Sequence, residues 1–337
     1  MQSSSILLPD FASHTCFATR FNRYCNRVAV ETKHWIFKEN SGMIAGLTPR
    51  LYDTQKFTLL ASVCYPDAAY PQLRLCSDFL AYFFYLDDLT DDMDNGSTQS
   101  VAKHIMCCLN HPKSFRSSFR IGKMTTDYFR RITQTSSTSV QQRFITTMSL
   151  FLTSVDQQAQ DRAMGHIPEI EGYIKHRRET SGCRTCFVLI EYANNLCIPD
   201  EVLRHPIISE MENAANDVVS FANDVYSFNQ EQFKGDNHNM IVVLIHNSPN
   251  MSLEEAVKYV ANRTYMAMDY FNQLKATLPK WGPKIDTEVG TYINGLQNWM
   301  GGVFFWSFET ERYFGKEVKR VKMSRSVVLL DRPSKNK

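Results

Sequence analysis

The 337-residue sequence predicts an all-α fold, and three observations carry that reading. Apolar residues recur at the three-to-four-residue spacing of a helix through most of the chain. No set of alternating apolar and polar residues reads as strands. Turn-forming residues fall between the periodic stretches rather than inside them: Asp94-Asn95-Gly96, Gly165, Ser181-Gly182, Pro199, Gly235-Asp236-Asn237, Pro249, and Pro279 with Pro283.

In chain order, Asn26 to Lys38 places Val28, Val30, Trp35 and Ile36 on one broad stripe and predicts the first helix. A second is expected from Asp53 to Tyr65, with Asp53 as its N-cap and Pro66 as its stop. Pro71 to about Asp92 reads as a long helix with an apolar middle, LCSDFLAYFFYL. Gln141 to about Arg162 follows a polar linker, Gln134–Val140, and further helices are expected over 168–179, 184–195, 207–232, 252–277 and 286–318. No period of 20–50 residues repeats, which argues against a solenoid. The expected organisation is an N-terminal segment (1–25), a single helical domain (26–322) and a mobile C-terminal tail (323–337).

A hydrophobic content of 43% with 21% charged residues excludes wholesale disorder. The 37 Lys and Arg against 35 Asp and Glu leave a net charge of +2, which gives no bulk attraction for nucleic acid or an anionic membrane. The N-terminus lacks the basic, apolar and small-residue succession of a signal peptide. Tyr292 to Phe308 is shorter than the ~20 apolar residues of a bilayer span and carries Asn294, Gln297, Asn298 and Ser307, so it reads as a buried helix and no stable membrane insertion is expected. Nine scattered cysteines suit a reducing, cytoplasmic setting. The one close pair, Cys183 and Cys186, has no second C-x-x-C to complete a zinc site and reads as core. Aromatic residues reach 12%, a rich share whose use emerges below.

The sharpest feature is Asp87-Asp88-Leu89-Thr90-Asp91-Asp92-Met93-Asp94, five carboxylates in eight residues at the C-terminal end of an apolar helix. The helix dipole disfavours negative charge there, so the placement costs stability unless a cation compensates. Asp87 and Asp91, and Asp88 and Asp91, share a helix face at i,i+4 and i,i+3 spacing. Oxygen-only ligands gathered this way suit a hard divalent ion, Mg²⁺ above all. An EF-hand reading of Asp92 to Gly96 fails, because the ligand spacing before the glycine is one residue short and no terminal Glu follows.

A second cluster stands on the helix predicted over 207–232. Asn223, Ser227 and Glu231 at i, i+4 and i+8 stack an amide, a hydroxyl and a carboxylate along one face. That trio can chelate another Mg²⁺. An overlapping ladder, Asn216, Asp217, Ser220 and Asp224, offers the same donor types one heptad earlier. Either register alone could simply be a polar face; two Mg²⁺-type faces on two helices of one chain favour a site.

With these residues the sequence resembles the class I terpene synthases, specifically the compact single-domain type of fungi and bacteria. The first cluster is similar to their aspartate-rich motif, and Asn223/Ser227/Glu231 matches their Asn-Ser-Glu triad residue for residue. Tyr173-Ile-Lys-His-Arg177-Arg178-Glu-Thr180-Ser181-Gly182 resembles the diphosphate-sensor segment, with Arg177 lying 46 positions before Asn223. Arg312-Tyr313 resembles the C-terminal Arg-Tyr pair. The four motifs run in order over 87–313, and the helical remainder fits the same fold, a helical bundle around a central active-site cavity.

The resemblance implies a Mg²⁺-dependent sesquiterpene synthase that ionises farnesyl diphosphate and cyclises the carbocation to a hydrocarbon or alcohol. It implies three Mg²⁺ ions on Asp87, Asp88 or Asp91 and on Asn223, Ser227 and Glu231, with Asp92 and Asp94 ranked outside the ligand set. Arg177 or Arg178, Arg312 and Tyr313 would bind the diphosphate, spacing favouring Arg177, while Thr180 and Ser181 fall at the positions coupling sensing to ionisation. Phe83 and Phe84, one turn before Asp87, would line the cavity. Trp306, read as two turns before Tyr313 on the same helix face, would join them. Two departures stand out: Gln230 occupies a position where many family members carry Lys or Arg, with Lys234 the nearest downstream base, and the doubled Asp pairs leave the choice of ligands open. Geranyl or geranylgeranyl diphosphate as substrate, a prenyl diphosphate synthase, and a non-catalytic helical binding protein are the alternatives. Antiparallel homodimers are usual in the family.

Overall fold

The structure, a computed structural model, describes residues 5–14, 17–39, 47–91 and 93–331. Its helices follow the chain as α1 (Phe11–His14), α2 (Cys25–His34, running on as a π-helical turn over Trp35–Glu39), α3 (Pro49–Gln55), α4 (Phe57–Cys64), α5 (Tyr70–Asp91), α6 (Asn95–Asn110), α7 (Arg120–Thr135) and α8 (Thr138–Met164). They continue as α9 (Ile170–Thr180), α10 (Cys183–Asn194), α11 (Asp200–Leu203), α12 (Pro206–Lys234), α13 (Met240–Asn247), α14 (Leu253–Ala276), α15 (Pro283–Ser307) and α16 (Val318–Ser324). Two short strands, β1 (Ser5–Leu7) and β2 (Ser326–Val328), pair antiparallel with Ile6 opposite Val327.

The expected all-α class holds. Helix α12 is buried from Ala214 to Asn229 almost without interruption, which places it at the centre of the bundle. Helices α14, α15, α13, α9 and α10 pack around it, while α5 packs against α2, α4 and α7. Local chemistry sets several starts: Asp94 accepts the Ser97 amide at 2.8 Å to cap α6, Asn239 accepts the Ile241 amide to cap α13, and Ser252 with Glu255 forms a capping box on α14. Gly295 lets α15 approach α10 closely, since a Cβ there would lie 2.2 Å from Ile190 Cγ2.

Four expectations need correction. The helix expected over 53–65 is two, because Lys56 takes a left-handed conformation (φ 53°) between α3 and α4; Thr48, not Asp53, caps the first, and Asp53 pairs with Lys33. The helix expected to reach 318 stops at Ser307. There the chain turns back, and the Glu311 amide and Thr310 hydroxyl bond to the Thr54 carbonyl at the end of α3. Helices α6, α7 and α13 were not expected, and α8 already begins at Thr138, inside the linker assigned to 134–140. The segment from 323 expected to be a mobile tail instead carries the end of α16 and strand β2, with Val327 buried. Asn229 of α12 fixes that strand from beneath, donating to Val328 O and accepting from Leu330 N. No helix among the described residues is long and apolar enough to cross a membrane. The eight described cysteines are free thiols.

Candidate active site

A cavity opens at the ends of α5 and α12. Its floor is apolar: Leu60 of α4, Leu80, Phe83 and Phe84 of α5, Cys183 and Cys186 of α10, Val219 of α12, and Trp299, Val303 and Trp306 of α15. Its upper wall is polar, with Asp87, Asp91, Arg177, Thr180, Ser181, Asn223, Glu231 and Tyr313. Above them a vestibule adds Asp88, Arg162, Ser227, Gln230, Lys234, Asp236 and Arg312. Apolar floor and ionic mouth are thus separate zones of one space.

The aromatic lining is held by its polar atoms. Trp306 Nε1 donates to the carbonyls of Gln55 and Lys56, both at 3.0 Å, so the indole N–H is spent and the ring faces the cavity. Phe84 lies 5.4 Å from Trp306 and 4.6 Å from Phe57, with the Arg312 guanidinium 4.9 Å over its face. Trp306 and Tyr313 meet edge to face at 5.8 Å, but across the turn after α15 rather than along one helix. Phe83 packs on Gly182, which takes a left-handed φ of 67° between α9 and α10 and where a Cβ would fall 2.1 Å from the ring. The break between those helices is therefore open only to glycine.

The two adjacent arginines separate cleanly. Arg177 lines the cavity, donating from Nη2 to Asn223 Oδ1 (2.8 Å) and from Nε to Asp224 Oδ1 (2.9 Å). Arg178 turns away and binds both oxygens of Asp217 at 2.7 and 2.8 Å, so it does not reach the cavity. Asp217 and Asp224 stand two turns apart on one face of α12, so each arginine has its own anchor.

The same contacts decide between the two donor ladders on α12. Asn216 accepts from Ser181 (2.9 Å) and Ser220 (2.8 Å) and donates to Arg178 O (2.7 Å). Asp224 accepts from Tyr173 Oη (2.6 Å), Arg177 and the Met240 amide. The earlier ladder is thus spent bracing α12 against α9 and α13. Of that ladder only Ser220 also lines the cavity, whereas all of Asn223, Ser227 and Glu231 face the cavity or its vestibule. Asn223 donates to Tyr313 Oη (2.9 Å), Ser227 donates to Asn223 O, and Glu231 accepts from Asn239 (2.8 Å).

On α5, Asp87 and Asp91 line the cavity while Asp88 lies on its outer flank, bound by both terminal nitrogens of Arg312 at 2.7 and 3.2 Å. Asp94 is occupied as a helix cap, and Asp92 lies outside the described residues. The Asp87 side chain is 40% exposed and lines the cavity. Lost hydration pushes its carboxyl up to about 6 against the pull of Arg312, and Asp88 pushes the same way. Reduced hydration in the mouth raises Asp91, though it is exposed, and the half-buried Glu231 too, with Asp236 adding repulsion to both. Among the described residues no three acidic, imidazole or thiol groups converge on one point. The donors are divided instead between two facing helices, and part of the α12 set is neutral amide and hydroxyl. An all-oxygen set with crowded, poorly hydrated carboxylates fits a hard divalent cation.

Asp236 and His238, in the loop after α12, and Gln158 and Arg162 of α8 also border the site, and sequence reasoning missed them as site residues. His238 Nε2 lies 2.9 Å from Thr180 Oγ1, and burial holds the imidazole well below its ordinary pKa, hence neutral. Asp236 sat in a stretch legible only as a helix breaker.

The chain is similar to known proteins over nearly its whole length. Residues 78–269 match the family described as terpene synthase family 2, C-terminal metal binding. The chain is 50% identical over 327 residues to sesquiterpene synthase Agr1 of Cyclocybe aegerita, covering 97% of this chain and 94% of that one. It is 45% identical to sesquiterpene synthase 1 of Postia placenta, over 98% and 96% of the two chains. In fold it superposes on germacradien-4-ol synthase from Streptomyces citricolor with a TM-score of 0.78 at 23% identity, over 87% of this chain and 96% of that one. An aromatic cavity mouthed by two facing oxygen-donor helices, matched over nearly the whole length of such relatives, identifies the chain as a member of the terpene synthase family.

Proposed function

We propose that this terpene synthase is a Mg²⁺-dependent sesquiterpene synthase that ionises farnesyl diphosphate and cyclises the resulting cation, releasing diphosphate. The observation that carries the reading is the division of one cavity into an aromatic floor and a mouth of carboxylates, arginines and a tyrosine hydroxyl. The names of the two curated relatives, both sesquiterpene synthases, support the fifteen-carbon substrate.

Asp87 and Asp91 on one side and Asn223, Ser227 and Glu231 on the other would hold the metal, with Asp88 left to Arg312. Three Mg²⁺ ions, when bound, supply Lewis-acid stabilisation of the leaving diphosphate. Arg177, Arg312 and the Tyr313 hydroxyl donate to the diphosphate oxygens, so the C–O bond breaks with its electron pair leaving on diphosphate. Arg177 already bonds Asn223, and Asn223 bonds Tyr313, so leaving-group contacts on α9, α12 and the turn after α15 form one connected network. Thr180 and Ser181 stand next to it at the break before Gly182, bonded to His238 and Asn216 respectively. Arg178 acts one step back, holding α9 on α12 through Asp217.

The floor must fold the chain and leave its cation unquenched. Phe83, Phe84 and Trp306 offer ring faces worth roughly 0.5–2 kcal/mol per cation–π contact. Burial keeps the Cys183 and Cys186 thiols protonated, so neither presents a thiolate to the cation. Loss of a proton or capture of water then ends the reaction.

Incubation of the purified protein and Mg²⁺ with geranyl, farnesyl and geranylgeranyl diphosphates, with volatiles resolved by gas chromatography–mass spectrometry, tests the substrate. Products from the ten- or twenty-carbon substrate alone would replace the sesquiterpene assignment. Asp87→Asn and Asn223→Ala should each lower turnover by orders of magnitude while circular dichroism stays helical; near-wild-type activity in either removes it from the ligand set. The family resemblance extends the reading to a cytoplasmic homodimer, which sedimentation and cell fractionation test.

A further inference from the structure

The cations around the mouth are of two sorts. Arg177 and Arg312 are each already bound to a carboxylate, Asp224 and Asp88 respectively. Arg162 and Lys234 line the vestibule without a close ion pair among the described residues, although the charge of Arg162 acts on Asp91. These two are therefore the vestibule cations not held in a close ion pair. Lys234 stands on α12 beside the triad, whereas Arg162 is the sole contribution of α8 to the described lining of the vestibule.

The contacts of Arg162 show how it is held. Its Nη2 donates to Met93 O (3.2 Å) and Thr90 O (3.5 Å) at the C-terminal end of α5, one turn beyond Asp87. Carbonyls at that end carry the negative end of the helix dipole, so a guanidinium is favoured. Only one of its three nitrogens is engaged in these bonds. A guanidinium has five donors in a rigid fork, so Nε and Nη1 can meet a second group while Nη2 stays on α5.

We propose that Arg162 is a further diphosphate-binding residue, bridging the leaving group to the end of the helix that bears Asp87 and Asp91. This rests on the reading that the cavity takes a prenyl diphosphate. Phosphate oxygens match the open edge of the guanidinium in shape and charge, and they would supply the close anion that no carboxylate here provides. Arg162 would thus bind the leaving group from the wall opposite in sequence to the Arg312 turn, with a residue held at its own α5 anchor.

Titration calorimetry of the wild type, Arg162→Gln and Arg162→Lys with inorganic diphosphate in saturating Mg²⁺ separates this role from helix capping. Gln keeps a donor for the α5 carbonyls and loses the charge; Lys keeps the charge and loses the fork. The expected result is diphosphate affinity weakened roughly tenfold or more in Arg162→Gln, as for loss of a charge-assisted bond, and within about threefold in Arg162→Lys, with both variants melting close to wild type. Wild-type affinity in Arg162→Gln would overturn the proposal. Equal weakening in both variants with lowered melting temperatures would also overturn it, since that pattern marks a helix cap. No diphosphate binding by the wild type would overturn the underlying reading itself, independently of Arg162.

Discussion

Replacing Asp224 by Asn removes a charge while keeping side-chain volume, at a point where three donors converge. The wild-type carboxylate accepts from Tyr173 Oη, Arg177 Nε and the Met240 amide, and is 1% exposed. Asn offers a single acceptor oxygen, and its amino group would face donors, so at least one of the three goes unsatisfied. Losing the charge-assisted bond to Arg177 costs about 1.5–3 kcal/mol and stranding a neutral donor about 1–3 kcal/mol. Breaking a buried ion pair from one side is typically worth 3–5 kcal/mol in all. A destabilisation of about 3–5 kcal/mol follows, or on the order of 10 °C in melting temperature at roughly 2–4 °C per kcal/mol. Urea unfolding measures it directly, and a cycle with Tyr173→Phe should show coupling of about 0.5–3 kcal/mol, because the two share a bond. An Asp224→Asn protein of wild-type stability would refute the assignment of Asp224 as an internal brace. It would reopen the earlier Asn216/Ser220/Asp224 ladder as the ligand set.

Other outcomes follow from the same geometry. Gly182→Ala combines a left-handed backbone with a 2.1 Å approach to Phe83; about 1–2 kcal/mol for the conformation and about 1–3 kcal/mol for overpacking should appear in denaturant unfolding. Adding Phe83→Ala should relieve only the steric part. Because the metal-free carboxyls of Asp87 and Glu231 sit above their ordinary values, at about 6 and about 8, folding takes up protons there. Stability without metal should therefore fall as pH rises from about 4 toward 8, the interval between the ordinary and raised values. A divalent cation must displace those protons, so Mg²⁺ affinity should rise over pH 6 to 8 with proton release, measurable by calorimetry in buffers of different ionisation enthalpy. Binding independent of pH across that range would contradict the assignment of these carboxylates as ligands.

The parts of the site legible in the sequence are those whose members share one helix. Asp87 with Asp91, and Asn223 with Ser227 and Glu231, are fixed by i,i+4 geometry alone, and the structure turns them toward one cavity. What spacing could not decide was settled by partners distant in sequence. Arg177 and Arg178 are neighbours on α9, and the choice between them rests on Asp224 and Asp217, which α12 brings to the two side chains. Asp236, His238 and Arg162 enter from a loop and another helix, so no local period marks them. The fold shows the same division. Long amphipathic helices were readable, and α7 could have been, since Ile121, Met124, Tyr128, Phe129 and Ile132 fall at helical spacing. The short apolar run of α13 could equally have been a buried strand by periodicity. The stop at Ser307 depends on carbonyl contacts to Thr54, more than 250 residues away in the chain.

The central claim is that one cavity uses metal to ionise a fifteen-carbon diphosphate and holds the cation until it closes. Its most direct test is a single incubation with farnesyl diphosphate in Mg²⁺ and in excess chelator, with diphosphate and organic products quantified together. One equivalent of diphosphate should be released per equivalent of cyclic sesquiterpene in Mg²⁺, and neither in chelator. Diphosphate released without cyclic product, or equal turnover in chelator, would contradict it.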